Sequence, residues 1–179
     1  MQHSDFRIGL EFSASAGFRW RCTDVGSRTI VAVRLADHDD DPNWYRGPPY
    51  IVEEVVFDEK AIERCHLTQD DAIFSTMHEF RTSGHPGYPH DDVLKMMEAR
   101  LADAERRYPH EGVLRFDRRT PEGEILHPYH GRKDGTRWIV LIYLPFKKVF
   151  IEMVEREFIS LPVTDAADVK NRSKKMLAD

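Results

Sequence analysis

Between His127 and Arg137 the chain reads HPYHGRKDGTR, which brings His127, Tyr129, His130, Arg132, Lys133 and Arg137 to one hairpin. Metal-independent cleavage of a phosphodiester in RNA needs three groups. They are a base of near-neutral pKa for the ribose 2′-hydroxyl, an acid for the leaving oxygen and a cation for the phosphorane charge. Here His127 and His130 would supply the proton transfers and Arg132 the charge. Strand residues two apart share a face, so His130 and Arg132 are expected to point together, with Tyr129 and Lys133 on the opposite side. The competing reading is an ordinary polar hairpin, and a net charge of -5 offers no general attraction to a polyanion.

A second stretch, HDDDPNWYRGPPY (His38 to Tyr50), sets acidic residues before three aromatics. Asp37, Asp39 and Asp41 alternate as in a calcium loop, but Pro42 stands where that loop needs Gly and Pro48 where it needs a bidentate Glu. Calcium is therefore excluded, and Asp41-Pro42 reads as the start of a turn. Trp44, Tyr45 and Tyr50 beside Gly47-Pro48-Pro49 then either cover a sheet edge or form a binding surface at low entropic cost. Elsewhere His78, His85 and His90 lie near Glu79, Asp91 and Asp92, at gaps that match no metal motif, so a constrained interhelical loop is expected. The basic run Lys170 to Lys175 reads as a solvated helix end, and Cys22 and Cys65 as small buried apolar residues. No metal and no cofactor is expected.

The elements that must position these groups follow from periodicity. Ile8 to Phe12, Phe18 to Cys22, Thr29 to Leu35 and Tyr50 to Phe57 alternate or are β-branched, as strands require, with a turn at Val25-Gly26-Ser27-Arg28. Thr68, with Asp71 three residues on, begins a helix whose Ile73, Met77 and Phe80 form one apolar face, and Gly84 ends it. Asp91-Asp92 open a second helix that buries Val93, Met96, Met97 and Leu101 and ends near Arg106-Arg107. Val113 to Phe116, Glu124 to Tyr129 and Arg137 to Leu144 are predicted strands, with turns at Thr120 to Gly123 and at Asp134-Gly135. For Phe146 to Leu161 the spacing of Phe150, Val154, Phe158 and Leu161 favours a helix over a strand, and Asp165 to Leu177 reads as a last polar helix or a frayed tail. The fold class is therefore α+β: an N-terminal antiparallel sheet or small SH3-like barrel, a central helix pair, and a C-terminal antiparallel sheet with a last helix. A β-rich lobe, residues 1–67, and a lobe of residues 68–179 are expected to dock as one unit.

RCTDVGSRTIVAV (Arg21 to Val33), taken with WYRGPPYIVEEVVFDEKAIERC (Trp44 to Cys65), resembles a motif pair of short, uncharacterised bacterial proteins, some encoded on mobile elements. The resemblance implies a bacterial origin and carries no activity, fold or catalytic residue. With no membrane-length apolar run, a soluble cytoplasmic protein is expected. Two functions stand against each other. One is a non-catalytic accessory protein that binds another protein through Trp44, Tyr45 and Tyr50. The other is a metal-independent ribonuclease or RNA-binding protein using His127, His130 and Arg132.

Overall fold

A computed structural model of the 179-residue chain describes residues 1–14, 17–36, 41–102 and 108–178. Among them are two four-stranded antiparallel sheets and five α-helices, an α+β fold. The chain divides into two compact units, Met1–Glu79 and Phe80–Asp179. None of the described helices is long and apolar enough to cross a membrane.

In the first unit β1 (Glu11–Ser13), β2 (Arg19–Val25), β3 (Ile30–Arg34) and β4 (Glu54–Phe57) form a meander in that order, a sheet rather than a barrel. The β2–β3 turn closes where Gly26 N–H donates to Thr29 O at 2.9 Å. Phe12, Cys22, Ile30, Ala32 and Phe57 point inward and pack with Phe6, Ile62 and Cys65. Phe12 meets Phe6 and Phe57 edge to face at 5.1 and 5.4 Å. Each such side chain, fully buried, contributes about 1.5–3 kcal/mol. Both cysteines are free thiols inside this core, and burial pushes the Cys65 thiol up to about 11. The strand expected from Ile8 begins only at Glu11, because Gly9 turns the chain at φ 86° and its N–H donates to Cys22 O. Likewise, the strand expected from Tyr50 starts at Glu54. The short helix α1 (Glu59–Glu63) follows, its first turn capped by the Asp58 carboxylate, which accepts from Ala61 N–H at 3.0 Å.

Helix α2 (Gln69–Thr82) starts as predicted, with Thr68 Oγ1 accepting from Asp71 N–H and donating to the Asp71 carboxylate. Its apolar face is not buried: Ile73, Met77 and Phe80 are all exposed. Gly84, at φ 73°, takes the left-handed conformation expected after the helix. Helix α3 (His90–Ala102) buries Met96 but leaves Met97 and Leu101 exposed, contrary to the predicted stripe, and the end expected near Arg106-Arg107 lies outside the described residues.

The second sheet runs β5 (Arg118–Arg119), β6 (Ile125–Asp134), β7 (Arg137–Leu144) and β8 (Val149–Val154), followed by α4 (Glu155–Ser160) and α5 (Ala166–Ala178). One face carries Tyr129, Ile139, Leu141, Tyr143 and Phe150 against Met96 and Ala99 of α3. The other carries Leu126, Val140, Ile142 and Leu144 against Phe158 of α4. This two-sided burial corrects the helical reading of Phe146 to Leu161. Phe150 and Val154 face one layer while Ile151 and Met153 face the other, so a strand is apolar on both sides and its spacing imitates a helix. The helix is confined to Glu155–Ser160. Val113 to Phe116, predicted as a strand, falls mostly in a 3-10 turn (Glu111–Arg115). In the basic C-terminal run Lys170, Lys174 and Lys175 are exposed, as a solvated helix end requires, but Arg172 is docked: its guanidinium donates to buried Glu124 at 3.1–3.2 Å.

Candidate functional site

Two groups of residues were singled out by chemistry, one in each unit. In the second unit the hairpin closes at Asp134-Gly135, pairing Asp134 with Arg137, and the register runs back to Arg132 opposite Ile139 and His130 opposite Leu141. A β-bulge between Pro128 and His130 then inserts Tyr129 as an extra residue, so that His127 comes to lie opposite Tyr143. Paired residues of antiparallel strands share a face. His127, His130 and Arg132 therefore stand on the same face as Ile139, Leu141 and Tyr143. Tyr129, expected on the opposite side, joins this face in the cluster with Met96, because the bulge slips the alternation by one residue. Lys133 is on the other face as expected, its ammonium 5.9 Å from the Trp138 ring centroid.

The surroundings of the three residues decide what they can do. His127 Nδ1 lies 2.8 Å from Asp117 Oδ1, with both side chains about one-third exposed. A carboxylate on Nδ1 fixes the ring and leaves Nε2 to exchange a proton with a ligand. Tyr88 lays its ring against His127 at 4.8 Å, and burial followed by the Asp117 charge raises its phenol pKa. Tyr143 donates to Asp92 Oδ2 at 2.7 Å, and burial, then that bond, pushes its phenol up to about 12. His130 is buried. Arg132 forms a two-pronged ion pair with Glu152 on β8. The cation that an RNA-cleaving site requires is thus already paired, and the second imidazole is enclosed.

Asp117, Tyr88 and Glu152 were not picked out from the sequence. Asp117 had a signal. Counting outward from the Thr120 to Gly123 turn pairs Arg119 with Ile125 and Arg118 with Leu126, and the next step sets Asp117 opposite His127. The interhelical loop histidine His85 has a positioning role: its Nδ1 accepts from Gly87 N–H at 3.0 Å and its ring packs on Tyr88 and Phe146. No group of three or more metal-ligating side chains gathers among the described residues.

In the first unit Asp41 begins a 3-10 turn (Pro42–Tyr45), accepting from Asn43 N–H at 2.9 Å, and the backbone and side-chain donors of Asn43 hold its carboxyl below the usual carboxylate range. Asp37 and Asp39 lie outside the described residues. The turn is seated on the outer sheet face by Tyr45, whose hydroxyl accepts from Ala36 N–H at 2.8 Å while Arg21 stands over its ring at 5.9 Å. Arg21 in turn shares Glu11 with Arg19, and their guanidinium groups, Arg21 first, lower the Glu11 pKa. Tyr50 packs so closely on Gly47 that a Cβ there would lie 2.5 Å from its ring, which explains the glycine. Tyr45 and Tyr50 are thus half-buried, while Trp44 remains 52% exposed. A separate open cleft of about 380 Å3 is lined by Glu11, Phe12, Ser13, Arg19, Thr68 and Gln69 among others. Comparison of the chain with protein-family models, with curated proteins and with solved structures finds no match.

Proposed function

We propose that this chain is a non-catalytic accessory protein of the bacterial cytoplasm, of the kind encoded on mobile elements, that binds another protein through the surface centred on Trp44. The observation that carries the reading is the division of labour among the three aromatics. Tyr45 and Tyr50 hold the turn in place by contacts within the chain, and Trp44 is left half in water on a pre-organised support. Exposed Ile51 follows in the same loop, and exposed Val56 stands on the outer sheet face with Val31. Covering the exposed half of a Trp removes about 100 Å2 from water, worth roughly 2.5 kcal/mol. The test compares proteins captured from a bacterial lysate by the wild-type chain and by Trp44→Ala. Specific capture lost in the variant, with an unchanged circular dichroism spectrum, supports the reading; equal capture by both removes Trp44 from it.

The Asp117–His127 pair supports a second reading, acid–base chemistry on an RNA phosphodiester. The pairing of Arg132 with Glu152 and the burial of His130 weigh against it. Labelled RNA cleaved by the wild type and not by His127→Ala would favour it over the first. A chain that neither binds nor cleaves RNA eliminates it.

A further inference from the structure

Helix α2 has 14 residues, none buried, and apart from Ala72 every one of them is exposed. An isolated helix of that length is marginal in water, yet this one displays Ile73, Phe74, Met77 and Phe80 at 51%, 72%, 47% and 73% exposure. At 3.6 residues per turn these four side chains, together with Asp70 and Arg81, fall within a roughly 120° arc. The face is therefore an apolar stripe with an acidic residue at its N-terminal end and a basic one at its C-terminal end. Thr76 does not compete for it, since its hydroxyl turns back to Ala72 O.

The stripe is complementary to itself when reversed. Phe74 and Met77 are equidistant from the midpoint between Ser75 and Thr76, and so are Asp70 and Arg81. We propose that α2 pairs antiparallel with α2 of a second copy of this chain about a two-fold axis through that midpoint. Phe74 of each copy then faces Met77 of the other, and Asp70 of each faces Arg81 of the other at both ends. The opposed helix dipoles favour the same orientation, whereas a parallel pair would set Asp70 against Asp70. Neither Asp70 nor Arg81 has an ion pair within the chain among the described residues. Phe74 and Phe80 alone expose about 300 Å2 per copy. With Ile73 and Met77 the two copies approach the ~1,000 Å2 of a specific, weak interface. This is an isologous contact that closes on itself, and it uses a surface separate from Trp44.

Sedimentation velocity on the full chain over a concentration series tests it. The wild type should pass from 20.9 kDa toward twice that mass as concentration rises. Asp70→Arg alone and Arg81→Asp alone should each weaken dimerisation by about tenfold or more, because each sets like charges together at both ends. The double variant should recover the dimer, and so should an equimolar mixture of the two single variants. Trp44→Ala should leave it intact. A monomer at every concentration overturns the proposal, as does a dimer indifferent to the charge reversals, a double variant that stays monomeric, or a dimer dissolved by Trp44→Ala.

Discussion

Replacing Arg172 with Met tests whether the last helix is held by a buried charge pair. The Arg172 side chain is 13% exposed and that of Glu124 9%, with two donors of the guanidinium within 3.2 Å of the carboxylate. Met keeps an apolar stem near Phe146, over which the guanidinium now lies at 5.1 Å, but removes the charge. Glu124 would be left with Lys147 at 3.1 Å, which is mostly exposed and so a weak partner. Removing one member of a buried pair costs about 3–5 kcal/mol; allowing for Lys147, we expect about 2–3 kcal/mol. For a unit of this size that corresponds to a fall in Tm of roughly 10–20 °C. Glu124→Gln should cost about 1–3 kcal/mol, and the double variant less than the sum of the two by about 1.5 kcal/mol or more. Urea and thermal unfolding followed by far-UV circular dichroism give all three values. A coupling below about 0.5 kcal/mol, the size of a solvent-exposed pair, would refute the reasoning and place Arg172 in solvent with the neighbouring lysines.

Two further outcomes follow from the second sheet. Tyr143 is fully buried, and its phenol is raised from 10.0 to about 12, so the fold favours the neutral form. That contribution is complete below pH 10 and is lost as pH rises through about 12; the shift is worth at most about 2.7 kcal/mol. Tyr143→Phe should lose about 1 kcal/mol near neutrality with the bond to Asp92 and should show a shallower loss of stability between pH 9 and 12; parallel profiles would count against the assignment. Gly131→Ala should destabilise by about 1–3 kcal/mol or more, because its Cβ would lie 2.4 Å from the Tyr108 ring and displace the hydroxyl that donates to Glu155. A variant within 0.5 kcal/mol of wild type by urea titration would show that Tyr108 moves at little cost.

Much of the hairpin was legible because its signals agree. Asp134-Gly135 forces the turn, and the β-branched and aromatic residues of Arg137 to Leu144 leave little alternative to a strand. The helix starts at Thr68 and near Asp91 could be read for the same reason: a cap and an acidic first turn act within a few residues. What covers a face is non-local and was misjudged. The spacing of Ile73, Met77 and Phe80 announces an apolar stripe but not that it stays uncovered, and Phe150, Val154 and Phe158 mimic helical spacing because layers pack on both sides of β8. At the candidate site, period two sufficed to put His130 with Arg132. The side taken by Tyr129 and His127 depends on one extra residue in β6, which composition does not reveal.

That extra residue makes β6 two segments of opposite phase. His127 and His130 face partners only two residues apart, Tyr143 and Leu141. They are thus next-but-one neighbours on a single surface, although three positions separate them in the chain. Deleting Tyr129, the one residue between Pro128 and His130, would restore strict alternation while leaving His127 opposite Tyr143 and Leu126 in the layer of Phe158. What would turn the imidazole of His127 toward Phe158 is loss of the bulge with every residue kept, because strict alternation through Tyr129 would shift the upstream half of β6 by one position.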